Sequence, residues 1–346
     1  MPSAVYNNYN GDTDGSASDT DFSECQEETR IIKDVVLVCS SADRDWINRT
    51  DETPYDYTVR LGGSGLANNY LMVQNNFNNV ISIGVDKLII NNRRLNVSYS
   101  NLSVDISEHP YLLVSSEDIT ENIHGTNKLL DKALGIMNID ETGSNYITLS
   151  NISGKAKEYY NTPISTLSKM KISITDPLGG SPNTIDDVLD IKSITYLDAT
   201  TSNLSTEYLM VQTNDYFHSE QYKRGDILKF GDYVYRDTGI YAESDELNTF
   251  IMRDNGHRLI SIGTSDTSKH LSNRIYIPTP NIASVSTGNV DATTWFDDLK
   301  TKSMGDISTA SSVTDTGKVL NYSLQTHVMF KMRIEERKNE ILANLR

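Results

Sequence analysis

The sequence predicts an all-β protein built as an antiparallel sandwich, and three observations support that class. Short apolar segments with a period of two recur along the chain, as expected for strands with one buried face. Turn residues separate these segments at fairly regular spacing, and strands do not alternate with long helices. Several connections are long, and a jelly roll is the sandwich that accommodates large insertions between strands. The predicted fold is therefore an antiparallel jelly-roll sandwich.

The first half of the chain contains the clearest strand patterns. The continuous apolar segment Asp34–Ser41 predicts a central strand, and Tyr55–Leu61 alternates apolar and polar residues. Asn79–Asn92 predicts a long strand whose apolar phase shifts by one residue, which indicates a β-bulge near Val85–Lys87. Further short strands are predicted at Pro110–Ser116, at Asn145–Leu149 and at Met170–Thr175, where "DPLGG" ends the strand abruptly.

Two helices are predicted beside these strands. The segment "GTNKLLDKALGI" predicts a short helix near residues 126–135, stopped by Gly135. The polar segment "ERKNEILANLR", residues 336–346, predicts a C-terminal helix after the last strong strand, His327–Glu336. Residues 281–317 are rich in Ser, Thr, Asp and Gly and predict a long loop.

These patterns divide the chain into four parts. The acidic first part is poor in apolar residues and is predicted to be a flexible arm. The predicted parts are an N-terminal arm (1–33), a jelly-roll core (34–236), an insertion or loop-rich subdomain before the last strand (237–320), and the final strand with its helix (321–346). A repeated "YLMVQ", at Tyr70–Gln74 and Tyr208–Gln212, leaves one jelly roll or two open.

Composition argues against nucleic-acid binding, a disulfide framework and a membrane span. The formal net charge of -16 disfavours direct, sequence-independent binding to nucleic acid, because like charges repel. The chain contains 2 cysteines, Cys25 and Cys39, which favours a reducing compartment over a disulfide framework. The sequence contains neither a sufficiently long apolar window for a membrane span nor a signal-peptide pattern at its start.

Residues with catalytic or metal-binding chemistry form no convincing pattern. The histidines are scattered without metal-ligand spacing, at His109, His124, His218, His257, His270 and His327. Gly11–Asp21 lacks the offsets of a calcium loop, and Gly62–Gly65 opens no helix that would bind phosphate. The tripeptide Arg224–Asp226 (RGD) is interpreted as a turn before a strand. We therefore predict no enzyme activity, no catalytic residue, no metal site and no cofactor.

The order of several motifs resembles the minor capsid and penton proteins of nucleocytoplasmic large DNA viruses. These motifs cover 34–180 well and the rest in patches, and they are "VLVCSSADRDWINRTDETPYDYTVRL", "FNNVISIGVDKLIINN", "HPYLLVSSEDI", "GTNKLLDKAL", "TPISTLSKMKISITDPLGG", "FIMRDNGHRLISI", "NRIYIPTP" and "LQTHVMFKMRIEE". The resemblance implies a jelly-roll subunit of an icosahedral capsid, without catalytic residues, assembled in the host cytoplasm and resident in the virion.

Within that family the resemblance leaves two positions open. A compact β domain with a large late insertion favours the penton subunit at five-fold vertices, which would form a pentamer. The acidic arm suits the alternative, a minor capsid protein that cements major capsomers from beneath. The implied partners are further copies of the chain, the major capsid protein and other minor capsid proteins, and contact with inner membrane components is left open.

Two readings outside the family remain. A non-viral β-sandwich binding module would need clustered aromatic residues, and Trp46 and Trp295 lie far apart in the sequence. A cupin-like metalloenzyme would need paired histidines with a carboxylate, and the isolated histidines argue against it.

Overall fold

A computed structural model describes residues 30–62, 77–93, 95–97, 102–104, 106, 109–117, 119, 126–159, 161–183, 186–197, 207–234, 248–263, 271–279 and 316–337. Two compact units are defined, one from Met1–Ile31 with Glu336–Arg346 and one from Ile32–Glu335. The described residues of the first unit are the ends of the first and last strands. Most of the predicted arm and residues 338–346 of the predicted C-terminal helix lie outside the described residues.

Strands are the dominant regular structure of the described residues, which confirms the predicted all-β class. Its strands are β1 (Arg30–Ser40), β2 (Asp56–Arg60), β3 (Phe77–Asn91), β4 (Leu95–Val97), β5 (Leu102–Val104), β6 (Leu112–Ser115), β7 (Ala133–Thr142), β8 (Tyr146–Asn151), β9 (Lys157–Glu158), β10 (Ile164–Leu167), β11 (Lys169–Thr175), β12 (Val188–Leu197), β13 (Tyr208–His218), β14 (Ile227–Val234), β15 (His257–Arg258), β16 (Ser261–Gly263), β17 (Leu271–Pro278), β18 (Thr316–Asn321) and β19 (His327–Arg337). Described helical structure is limited to one turn at 248–251, a 3-10 conformation at Ile106, and three-residue 3-10 turns at Ser41–Asp43, Leu130–Lys132 and Tyr322–Leu324.

The larger sheet has a nested pairing pattern. Its strand order is β1-β19-β3-β8-β7-β6-β11-β2, and the short strands β9 and β10 also pair with β3. Among the main strands the first lies beside the last, β2 pairs with β11, β3 with β8, and β6 with β7. The pairs β2–β11, β3–β8 and β6–β7 are antiparallel. The main strands of the first half of this hairpin-like path, β1, β2, β3 and β6, therefore pair with those of the second half, β19, β11, β8 and β7.

A second sheet is formed by the chain between β11 and β19. Its order is β15-β14-β18-β12-β13-β17-β16, and β4 and β5 form a separate hairpin. This sheet has its own hydrophobic cluster, which includes Leu209, Phe217, Leu228, Ile275 and Val319. The predicted boundary at residue 237 falls between β14 and β15, which are paired neighbours in this sheet.

Alternating side chains build the core of the larger sheet. Met170, Ile172 and Ile174 on β11 are buried, and so are Tyr57 and Val59 on the neighbouring β2. The intervening residues of β11 are exposed or half-buried, so the predicted period of two is confirmed on this strand. Burial of these apolar faces is the main favourable contribution to folding.

The predicted bulge in β3 is confirmed at Asp86. Met329 of β19 pairs with Lys87, whereas the next residue, Phe330, pairs with Val85. Asp86 is therefore the extra residue on the bulged strand, and it reverses the facing of the residues that follow. This reversal keeps Leu88 and Ile90 in the core, where both are fully buried.

The short helix predicted near residues 126–135 is wrong. Leu130–Lys132 form a single 3-10 turn, and β7 begins at Ala133. Hydrogen bonding of β7 to both β6 and β8 outweighs the local helix preference of the Leu- and Ala-containing segment. Gly135 lies against β3, because a Cβ there would come within 3.0 Å of the Cβ of Val85. Glycine thus permits close packing at this point rather than ending a helix.

The predicted central position of the first strand is also wrong. β1 lies at the edge of the larger sheet, beside β19 alone among the described strands. Leu37 and Cys39 face the core, whereas Val36 and Val38 are 63% and 50% exposed. The sequence of β1 is continuously apolar because the side chains on both of its faces are apolar. One face packs in the core, and the other is exposed to solvent.

Candidate functional site

The most elaborate group of polar side chains lies where the chain passes between the two sheets. The chain leaves the larger sheet after β11 and returns to it through residues 321–326. We call the buried group at these two crossings the polar junction, and its members are Ser41, Arg44, Asn91, Arg93, Asp187, Asp226, Asn321, Gln325 and Thr326.

Arg44 lies at the centre of the first half of the polar junction. Its side chain is fully buried, and its Nη2 donates to Asp187 Oδ2 at 2.6 Å. Its Nη1 donates to the carbonyl oxygen of Ser41 at 2.7 Å and to Gln325 Oε1 at 2.9 Å. A buried cation costs several kcal/mol to desolvate unless it is paired and hydrogen-bonded. Both terminal nitrogens of Arg44 meet that condition, with Asp187 and Gln325 from two distant parts of the chain and with Ser41 of its own turn, whereas its buried Nε has no hydrogen-bond partner among the described residues.

The turn after β1 positions Arg44. The Ser40 hydroxyl accepts a hydrogen bond from the backbone N–H of Ala42 at 3.2 Å, which caps the 3-10 turn Ser41–Asp43. The backbone N–H of Ser41 donates to the carbonyl oxygen of Thr326 at 2.9 Å. The Ser41 hydroxyl accepts from the backbone N–H of Thr326, also at 2.9 Å. Ser41 is therefore hydrogen-bonded to Thr326 of the returning chain through both its backbone and its side chain.

Gln325 and Asn321 connect the two halves of the polar junction. Gln325 Nε2 donates to Asp187 Oδ2 at 2.8 Å and to the carbonyl oxygen of Asn321 at 2.9 Å. Asn321 Nδ2 donates to Asp226 Oδ2 at 3.0 Å. Because neither amide carries a charge, the pair links two ion pairs without adding a buried charge of its own.

The second ion pair joins Arg93, just after β3, to Asp226, just before β14. Arg93 Nη2 donates to Asp226 Oδ1, and Arg93 Nη1 donates to the carbonyl oxygen of Gln221 at 2.6 Å. Asp226 Oδ2 also accepts from the backbone N–H of Lys223 at 2.9 Å. Asp226 is the last residue of the RGD tripeptide, and it is 5% exposed. The interpretation of that tripeptide as a turn is confirmed, since Gly225 has a φ of +93° and β14 begins at Ile227.

Buried tyrosines surround the polar junction. Burial raises the pKa values of Tyr55, Tyr57 and Tyr222, so their hydroxyl groups stay protonated. The Asp187 carboxylate raises the pKa values of Tyr55 and Tyr222 further. The charges of the polar junction are therefore those of its two ion pairs, enclosed by neutral rings.

The loop after Arg44 also packs on the second sheet. Lys318 Nζ of β18 donates to the carbonyl oxygen of Ile47 at 2.6 Å. Gly231 of β14 lies below the same loop, where a Cβ would come within 2.6 Å of Ile47 Cδ1 and 2.8 Å of Trp46 Cη2. The absence of a side chain at this glycine lets the loop approach the strand closely. The loop and the polar junction thus both connect the first sheet with the second.

The arrangement of these groups is suited to holding structure rather than to chemistry. Both carboxylates of the polar junction are occupied by arginine and amide donors. Paired, buried charges of this kind stabilise one relative placement of the elements that carry them, and removal of one partner is costly. The polar junction therefore acts as a rigid connection between the larger sheet and the second sheet.

Among the residues that the structure describes, no group of three or more His, Cys, Asp or Glu side chains is placed to hold a metal ion. His109, His218 and His327 are half-buried at separate positions, and His257 lies in the core of the second sheet. His124, His270, the acidic segment Gly11–Asp21 and residues 63–65 lie outside the described residues. Among the described residues, no helix combines the length and apolar character needed to cross a bilayer.

His257 makes the stability of the second sheet sensitive to acid. Its Nε2 lies 3.0 Å from the carbonyl oxygens of Phe250 and Ile251, and Phe230 packs edge-on against the ring. Burial, and then the charge of Arg253, lower the pKa of His257 to about 4, so the folded protein holds the ring neutral.

We expect the free energy of unfolding to decrease because of His257 as the pH falls from 6.5 to about 4. In that range the unfolded chain takes up a proton that the folded chain does not, which costs about 1.4 kcal/mol per pH unit. The free energy of unfolding, measured by urea titration at pH 7 and pH 5, should fall more for the wild type than for His257→Asn. Carboxylates contribute equally to both proteins, so equal losses in the two would contradict the assignment.

Cys39 is a core residue rather than a reactive one. Its side chain faces the interior of the larger sheet, and burial, reinforced by the charge of Asp43, raises the pKa of its thiol to about 12. The nucleophilic thiolate is therefore scarce at neutral pH.

Comparisons with protein-family models, with curated proteins and with solved structures found no match to this chain.

The polar junction was not predicted from the sequence. Arg44 and Asp187 are separated by 143 positions, and no local spacing rule connects residues at that distance. The available signal was the polar "SADRDW" directly after an apolar strand, which places a charged residue at a turn but does not indicate its burial.

Proposed function

We propose that this chain is a structural subunit of the icosahedral capsid of a large DNA virus, and that it forms the penton at five-fold vertices. The observation that carries the proposal is the nested pairing in the larger sheet, in which the first strand lies beside the last and β2, β3 and β6 pair with β11, β8 and β7. This order supports the assignment of the larger sheet as an eight-stranded jelly roll, a fold used by viral capsid subunits, lectin domains and cupins.

The position of the second sheet favours the penton among capsid subunits. Strands β12 to β18 form this sheet, and in the chain they lie between β11 and β19, the last two main strands of the proposed jelly roll. With such an insertion, the jelly roll would remain available for contacts within the shell, and the second sheet could face outward. The polar junction would hold that unit at a fixed angle, as a repeated vertex requires.

The physical chemistry of the larger sheet also supports assembly. An open sheet has edges whose backbone groups must be covered or protected, and neighbouring subunits of a shell provide such cover. A five-fold ring would use head-to-tail contacts that close on themselves. We expect an isolated subunit to be marginally soluble and assembly to stabilise it.

The test of a capsid role is binding to major capsomers. Purified chain should sediment with preassembled major capsomers of the same virus, and a variant without residues 1–29 should sediment equally well. Loss of binding in the truncated protein would instead favour the alternative, a cement protein that uses its acidic arm. A full chain that does not bind capsomers would overturn both roles and favour the hypothesis of a non-viral β-sandwich binding module.

A further inference from the structure

The hydroxyl group of Tyr222 is enclosed beside the polar junction without a hydrogen-bond partner among the described residues. The Tyr222 side chain is fully buried, and its ring packs against Phe217 with the ring centroids 4.7 Å apart. Burial raises the pKa of Tyr222, so the hydroxyl keeps its proton and remains a donor. An unsatisfied buried donor is costly, and native proteins pair nearly all such groups with protein atoms or ordered water.

The loop that carries Tyr222 belongs to the second half of the polar junction. The carbonyl oxygen of the preceding residue, Gln221, accepts from Arg93 Nη1 at 2.6 Å and from Asn321 Nδ2 at 3.3 Å. Asp226, at the end of the same loop, forms the ion pair with Arg93. These contacts on both sides of Tyr222 fix the position of its ring beside the buried charges.

Asp187 offers the acceptor that suits this hydroxyl. Among the described residues, the donors to its carboxylate are Arg44 and Gln325, and both of their hydrogen bonds end on Oδ2. The Oδ1 atom therefore keeps its capacity to accept, and the Asp187 side chain is only 7% exposed. After burial, the charge of Asp187 contributes most to the raised pKa of Tyr222, so the two groups lie near each other. Neighbouring polar groups that lack a direct hydrogen bond are commonly joined by a bridging molecule.

Charge identifies the bridging molecule. The buried charges of the polar junction balance, because two arginines are paired with two aspartates, and the nearby Asp186 is exposed to solvent. An ion at this place would add a buried charge without a partner of its own, which is costly. Water is neutral, accepts a hydrogen bond from a hydroxyl and donates one to a carboxylate, and is the usual bridge between buried polar groups.

We infer that the polar junction binds an internal water molecule, which accepts a hydrogen bond from the Tyr222 hydroxyl and donates one to Asp187 Oδ1. The water joins the loop before β14 to the residue before β12. It is therefore a second link between the two halves of the polar junction, beside the amides of Gln325 and Asn321. The inference does not rest on the proposed function, because it concerns the hydrogen bonding of the polar junction alone.

The substitution Tyr222→Phe tests the inference, since it removes the hydroxyl and keeps the ring. If the hydroxyl holds the water, the equilibrium constant for folding, measured by urea titration, should fall about fivefold. Removal of a hydroxyl without any partner would instead relieve an unsatisfied donor, so an unchanged or larger constant would overturn the inference. The matched control is Tyr216→Phe on the second sheet, where the side chain is 60% exposed and the constant should change by less than about twofold.

A crystal structure of the full chain with its solvent resolved gives an independent readout. The wild type should show a water molecule within hydrogen-bond distance of both the Tyr222 hydroxyl and Asp187 Oδ1, and Tyr222→Phe should lose it. A direct hydrogen bond between Tyr222 and Asp187 would overturn the inference. Crystals soaked in rubidium chloride distinguish water from a monovalent cation, and strong new density at this position would overturn the assignment of water.

Discussion

Substitution of Arg44 by alanine is expected to destabilise the protein by about 3–5 kcal/mol. The reason is the burial of its partners, because Asp187 and Gln325 would remain in the interior without the guanidinium that neutralises and binds them. The loss should be largest for the connection between the two sheets, where Trp46 lies against Gly231. Urea unfolding monitored by Trp46 fluorescence, in a Trp295→Phe background, reports on that contact directly.

The matched control for Arg44 is Arg49 in the same loop. Arg49 forms an ion pair with Glu52 at 2.9 Å, but its side chain is 45% exposed. Exposed pairs contribute about 0–1 kcal/mol, so Arg49→Ala should have a small effect. Equal effects of the two substitutions would contradict the account of the polar junction, since solvent exposure would then not distinguish the two arginines.

Substitution of Asp226 by asparagine is expected to cost about 3 kcal/mol, because Arg93 would lose its charged partner in a poorly hydrated site. Asparagine keeps the shape of the side chain, so the change removes charge rather than volume. The matched control is Arg224→Ala in the same tripeptide, whose side chain is exposed and which should change stability by less than about 0.5 kcal/mol. Thermal and urea unfolding of the two variants measure the difference.

The two ion pairs should also prove to be coupled. Asn321 and Gln325 connect Asp226 with Asp187, so the double variant Arg44→Ala/Asp226→Asn should lose less stability than the sum of the single variants. Strict additivity would show that the two halves of the polar junction act independently.

Local patterns in the sequence predicted those parts of the fold that depend on alternation along one strand. The alternation on β11 and the bulge at Asp86 follow from which residues must face the core, and that information is contained in neighbouring positions. Strands β12 to β14 have the same kind of pattern as those of the larger sheet, so the pattern does not indicate which sheet they join.

The remaining features depend on long-range contacts that single segments do not encode. The segment predicted as a helix contains good helix formers, yet Leu130–Lys132 form only a 3-10 turn, and pairing with β6 and β8 makes the chain extended from Ala133. The apolar sequence of β1 predicted burial on both sides, whereas one side is exposed in the single chain. The polar junction joins residues from several distant loops, and only the folded chain brings Arg44 and Asp187 together.

The most direct test of the proposed capsid role is the native mass of the purified full-length chain, with negative-stain images of the same sample. The account predicts a closed ring of five subunits. A protein that remains a soluble, folded monomer at high concentration, and forms no ring with or without major capsomers, would contradict it.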